Sequence, residues 1–172
     1  MKSISRLGTT LVLLGVAAIT VAASPQTNSL MTDGNHAYMR GDFAGAVRAY
    51  QQALDAEKKQ PTLDRAATIV LIDNLGTAYG ITGNWDRAHE VFDYGVSKYP
   101  TYPMFYYDIA CVYGRKKDMD NAITYLLKAL ANKANLAAGQ KIPDPLSDNS
   151  FSAFKDDERF VKAVKPLSEA AQ

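Results

Sequence analysis

The sequence predicts an all-α fold: three helix pairs stacked as an α-solenoid and closed by a C-terminal capping helix. Three observations predict it. Equivalent residues recur in phase, with Gly34, Gly76 and Ala110, then Ala46, Ala88 and Ala122, then Tyr50, Phe92 and Leu126 each separated by 42 and 34 residues. Turn residues punctuate each unit at the same place: Gly41-Asp42, Gly83-Asn84 and Lys117-Asp118. The pattern then stops after Leu130, and Pro143 and Pro145 lead into a final apolar-striped segment.

The N-terminus is set aside before the elements are read. Lys2 and Arg6 precede an apolar run from Leu11 to Val21, and Val21-Ala22-Ala23 offers small residues for a cut before Ser24. Residues 1–23 therefore read as a secretory signal peptide, which implies a periplasmic or secreted protein. The rival is an uncleaved anchor, but Thr9, Thr10 and Thr20 interrupt a run barely long enough to cross ~30 Å of hydrocarbon. No cysteine follows the run, which excludes a lipoprotein.

Residues 24–28, SPQTN, read as a flexible lead, and the first repeat begins at Leu30. Its second helix opens at Phe43 behind Asp42, a natural N-cap, and places Ala46, Tyr50, Ala53 and Leu54 at helical spacing. That helix runs through Glu57-Lys58-Lys59 towards Pro61. The middle unit, residues 72–100, pairs a helix bearing Leu75, Gly76 and Tyr79 with one bearing Ala88 and Phe92. The eight additional residues between units one and two, around 58–67, predict flanking helices longer by about a turn each. The third unit carries Tyr106, Ile109, Ala110 and Tyr113, then Ala122 and Leu126. Beyond it, Leu136-Ala137-Ala138 begins a short helix ending near Gly139, and Asp156 caps a last helix with Phe160, Val161 and Val164 on its apolar side.

These residues resemble the tetratricopeptide repeat family, whose pattern is W-x2-L-G-x2-Y, then A-x3-F, then P. The middle unit carries Leu75, Gly76, Tyr79, Ala88, Phe92 and Pro100, with Ile72 in place of Trp. The first unit keeps Gly34, Ala46 and Tyr50 but has Asp33 and Ala37 at the Leu and Tyr positions, and the third keeps Tyr113 and Ala122. The resemblance covers about residues 28–134 and implies a right-handed superhelix with repeats near 27–60, 69–102 and 103–134. The tail, residues 135–172, is similar to the end-of-group segment of exported bacterial members, with Phe154 and Phe160 covering the last repeat. The physical reason for the pattern is packing: Gly76 and Ala88 let paired helices approach, and stacking buries faces that no repeat can bury alone.

The family resemblance also implies where a partner would bind, on the concave face lined by the first helix of each pair. Carried over residue by residue, the face comprises Met31, Asn35, Tyr38 and Met39, then Val70, Asp73, Thr77 and Ile81, then Met104, Tyr107, Cys111 and Arg115. Asn35 and Asn74 occupy the two asparagine positions of the carboxylate clamp found in chaperone-binding members. Met31, Met104 and Asp108 stand where that clamp needs cations, so a carboxylate would lack compensation and the clamp is rejected. The expected function is a protein-protein interaction scaffold of the cell envelope. Self-association through the groove or the terminal helix is the alternative, so a homo-oligomer is possible.

Composition narrows the chemistry. The net charge is +1, and removing Lys2 and Arg6 leaves 17 basic against 18 acidic residues, which gives no basis for nucleic-acid binding. Nothing beyond the leader points to a membrane. The single cysteine, Cys111, excludes an intramolecular disulfide framework, and its helical setting predicts burial. His36 and His89, the only histidines, lie on different helices without metal-ligand spacing. Asp118, Asp120 and the acids at 156–158 read as first-turn groups complementing helix dipoles, and Arg115-Lys116-Lys117 as their C-terminal counterpart. No P-loop, GxSxG or acid–base–nucleophile constellation occurs, so no enzymatic activity, cofactor or metal is expected.

Overall fold

The computed structural model describes residues 25–171, so the expected leader lies outside the described residues. Seven α-helices follow one another: α1 (Pro25–Met39), α2 (Phe43–Lys59), α3 (Arg65–Ile81), α4 (Trp85–Lys98), α5 (Pro103–Arg115), α6 (Met119–Ala131) and α7 (Glu158–Ala171). Each of the first six packs against the next, and α7 packs on α6, which is the right-handed helix-pair solenoid with a C-terminal cap. No strand occurs among the described residues.

The three turns within pairs share one geometry. The amides of Asp42, Asn84 and Asp118 donate to the carbonyls of Ala37, Tyr79 and Tyr113, each at 2.9 Å. The preceding residue is left-handed in every case, Gly41 at φ +75°, Gly83 at +78° and Lys117 at +62°. This is the six-to-one closure that terminates a helix when one residue can adopt positive φ. The next side chain then caps the following helix: Asp42 accepts from Gly45 N–H at 2.8 Å, Asn84 from Arg87 N–H at 3.4 Å and Asp118 from Asn121 N–H at 3.1 Å. Two residues thus stop one helix and start another.

Between pairs one and two the chain takes a longer path. Helices α2 and α3 have 17 residues each, against 14, 13 and 13 in α4, α5 and α6. The connection is held by buried Glu57, whose Oε2 accepts from the amides of Thr62 at 2.9 Å and Leu63 at 3.1 Å. Asp64 then caps α3 by accepting from Ala67 N–H at 2.8 Å.

Close approach within the middle pair depends on Gly76. A Cβ there would lie 2.4 Å from the Phe92 ring, so only glycine admits the ring at this crossing. Helix α5 divides the core in two. Its Phe105, Ile109 and Val112 join Leu71, Ile72, Leu75 and Phe92, while its Tyr107 and Ala110 join Ala122 and Leu126 with Phe151, Phe154, Phe160, Val164 and Leu167 of the tail.

Several local expectations are corrected. The expected flexible lead is helical from Pro25, since proline at a helix start gives up no hydrogen bond, and Thr27 is buried. Residues 136–138 form no helix. A single 3₁₀ turn, Lys133–Asn135, ends in extended Leu136, because Asn132 folds its side chain back onto the Lys128 carbonyl and closes α6 there. The last helix is capped by Asp157 instead of Asp156, its Oδ1 accepting from Arg159 N–H at 2.9 Å and Phe160 N–H at 3.2 Å. That register turns Val161 outward at 36% exposure and buries Leu167.

Two stability predictions follow from this packing. Phe92→Ala should cost ~3–5 kcal/mol in chemical denaturation, because it empties the crossing that Gly76 leaves open. Lys117→Gly should stabilise by up to ~1 kcal/mol, since it removes a left-handed side chain. An unchanged midpoint for Phe92→Ala, or a loss for Lys117→Gly, would contradict these roles.

Candidate functional site

A groove of about 400 Å³ opens between the middle and third pairs. Helix α3 contributes Gly76, Thr77, Gly80 and Ile81, and α4 contributes Trp85, Ala88 and Phe92. Tyr107, Asp108, Cys111, Val112 and Arg115 come from α5, spaced three or four residues apart on one face. The tail closes the far wall with Asp148 and Ser150.

The expected partner-binding residues separate into groups. Thr77, Tyr107 and Arg115 line this groove together, and Asp73 interacts with Asp108 beside it. Asn35 and Asn74 are joined within the array: Tyr50 Oη donates to Asn35 Oδ1 at 2.6 Å, and Asn74 Nδ2 donates to the same oxygen at 3.3 Å. Met31 packs half-buried against the first core. Tyr38 stacks edge-to-face on Phe43 at 5.3 Å, and Met39 is 84% exposed at the end of α1, so both lie away from the groove.

Tyr107 differs most from its expected role as an open anchor, because it is only 3% exposed. Its ring packs edge-to-face on Phe151 at 6.1 Å, and its hydroxyl donates to Asp148 Oδ2 at 2.8 Å. The tail covers it, which periodicity within the helices could not reveal. Its local role is to tie the tail to α5.

The groove is acidic at depth. Asp108 Oδ2 is buried without a hydrogen-bond partner. Burial pushes the Asp108 carboxyl well above the usual carboxylate range, and the neighbouring Asp73 and Asp148 push the same way. Asp73 is itself raised by burial, partly countered by its hydrogen bond with Asp108. The Cys111 thiol, 3.8 Å from Asp148 Oδ2, is pushed far up by burial and then by Asp148 and Asp108, so it is a poor nucleophile. Arg115, at the end of the same face of α5, holds its guanidinium 5.4 Å from the Trp85 ring.

Other polar groups do not join this site. His89 lies on α4 beside Tyr113 and bonds Asp93 at 3.0 Å, and His36 is exposed on α1; neither lines the groove. Among the described residues, no three His, Cys, Asp or Glu side chains are placed to hold a metal ion. Lys116 pairs with Asp86 at 2.5 Å, so the basic strip is partly neutralised. Sequence reasoning missed Trp85, Asp148 and Ser150 as groove residues, and weighed Asp108 only as a missing cation. Trp85 follows a turn and the other two lie in an aperiodic loop, so no helical stripe pointed to them.

The raised Asp108 carboxyl gives a pH prediction. An acid that ionises less readily in the folded state binds more protons there than when unfolded, so it lowers stability as pH rises above the ordinary aspartate range near ~3.9. Asp108→Asn removes that penalty. It should raise the melting temperature at pH 7 and leave little gain at pH 4, read by calorimetry at both values. An equal gain at both would show that the carboxyl is not the cause.

Residues 105–136 match the family model described as tetratricopeptide repeat. No curated protein sequence matches the chain. Among solved structures, the Sgt2 tetratricopeptide domain from Aspergillus fumigatus is similar at 18% identity and TM-score 0.57, over 88% of this chain and 87% of that one. The type III secretion chaperone SycD of Yersinia enterocolitica, in complex with a peptide of the translocator YopD, is similar at 16% identity and TM-score 0.58, over 87% and 98%. The first tetratricopeptide domain of Spaghetti (RPAP3), bound to an HSP90 peptide, is similar at 15% identity and TM-score 0.57, over 84% and 98%. At such identities the likeness establishes the fold. Residues 105–136 thus carry a tetratricopeptide repeat, and the helix pairs of the chain stack in the tetratricopeptide-repeat fold.

Proposed function

We propose that this protein is an exported, non-enzymatic scaffold that docks an extended segment of a partner protein in the concave groove. The observation that carries the reading is the groove itself: an open volume of about 400 Å³ walled by helices, with apolar Ile81 and Trp85 beside polar Thr77 and Ser150. Such a lining suits a peptide with alternating side chains. SycD and RPAP3, which share the fold, were each solved with a peptide bound. A binding role also accords with the chemistry of the site, where the one thiol is held protonated and the histidines lie elsewhere. Export rests on the leader-like residues 1–23, and mass spectrometry of secreted or periplasmic protein beginning at Ser24 would support it.

The binding reading is tested by selecting phage-displayed random peptides on the full chain. Enriched peptides should shift the amide resonances of Thr77, Gly80 and Arg115. Ile81→Glu, at a position 47% exposed, should weaken them at least about tenfold while barely altering the melting temperature. Shifts confined to other surfaces, or unchanged affinity for Ile81→Glu, would contradict docking in the groove. A concentration-dependent dimer in light scattering that protects these amides would favour self-association instead.

A further inference from the structure

We propose that the groove selects a basic side chain, an arginine or lysine of the docked partner segment, and seats its cationic head on Asp108 and Asp73. This rests on the groove being the docking face and names what that face prefers. The Oδ2 atom of Asp108 is buried, lacks any partner, and belongs to a residue lining the cavity. A buried polar atom in that state is costly until a partner arrives.

The charge balance states which donor fits. Asp108 from α5 and Asp148 from the tail line the cavity and Asp73 from α3 borders Asp108, against Arg115 as the basic residue of the lining. Arg115 lies seven residues further along α5, over Trp85. The Asp148 oxygens already accept from Tyr107 Oη at 2.8 Å and Ser150 N–H at 2.7 Å, so Asp148 contributes charge and leaves the contact to its neighbours. A guanidinium or ammonium carries several N–H donors and a positive charge, which satisfies Asp108 and allows both carboxyls to ionise. Its aliphatic stem would run along Thr77 and Val112, which line the cavity one helical turn beyond Asp73 and Asp108. A bare metal ion fits less well, since no three ligating side chains are placed around one position among the described residues. An acidic segment would meet like charge.

The test uses three capped pentapeptides that differ only at the centre, with arginine, its neutral isostere citrulline, or glutamate between alanines, titrated into the isotope-labelled full chain. The arginine peptide should shift the amides of Thr77, Gly80 and Cys111 saturably, at least about tenfold more tightly than the citrulline peptide, and the glutamate peptide should not bind. Asp108→Asn should abolish the preference for arginine over citrulline, and Asp73→Asn should reduce it; spectral dispersion reports whether each variant folds. Equal affinity for arginine and citrulline would overturn charge selection while leaving peptide docking intact. Spermidine binding at the same amides as tightly as the peptide would assign the acids to small free cations and overturn the proposal. Absence of any shift in this groove with all three peptides would overturn it together with the docking reading.

Discussion

Helix α5 has to be packed on both sides, and no fourth repeat follows to cover its second side. The tail solves this by bringing Phe151 against the helix where Gly114 leaves room. A Cβ at Gly114 would stand 2.5 Å from the Ser150 carbonyl oxygen and 2.8 Å from the Phe151 ring. Phe151 in turn stacks on Phe160 of α7 at 5.6 Å, and both are fully buried with Leu126 and Ala122 of the third pair. The array therefore ends in a core made from segments about forty residues apart in sequence. Three repeats sit near the minimum at which stacking can bury enough apolar surface, so this closure matters to the whole chain.

The same contact builds the far wall of the groove. Asp148 precedes the 3₁₀ turn Asn149–Phe151, caps it through Ser150 N–H, and receives the Tyr107 hydroxyl. Structural closure and groove electrostatics are thus one arrangement. Tyr107 and Asp148 form the joint, and Asp108 lies on the same face of α5 as Tyr107 and Cys111. A carboxyl buried beside other acids opposes stability at neutral pH, and such groups cluster at sites that use them.

Much of the fold was legible because each repeat states it locally. The positive-φ residue and the capping residue after it occur as Gly41-Asp42, Gly83-Asn84 and Lys117-Asp118, and all three closures are alike in geometry. The glycine–aromatic crossing of Gly76 with Phe92 was legible for the same reason. The tail was legible only as an apolar cap. Its N-cap, its outward Val161 and the missing helix at 136–138 depend on side-chain hydrogen bonds from Asp157 and Asn132, which periodicity does not encode. The groove was half legible: the family's groove positions, carried over to α3 and α5, named Thr77, Tyr107 and Arg115, but the tail that buries Tyr107 and supplies Asp148 comes from an aperiodic loop. Asn35 and Asn74 matched a family position, yet they face Tyr50 and each other.

The central claim is that the tail completes the third repeat through the contact at Gly114. Native-state hydrogen exchange of the full chain and of Gly114→Ala tests it most directly. The account predicts that α5, α6 and α7 exchange as one cooperative unit in the parent chain. In Gly114→Ala their protection should fall together while α1 and α2 are little changed. Loss of protection in α7 alone, with α5 and α6 as protected as before, would contradict it.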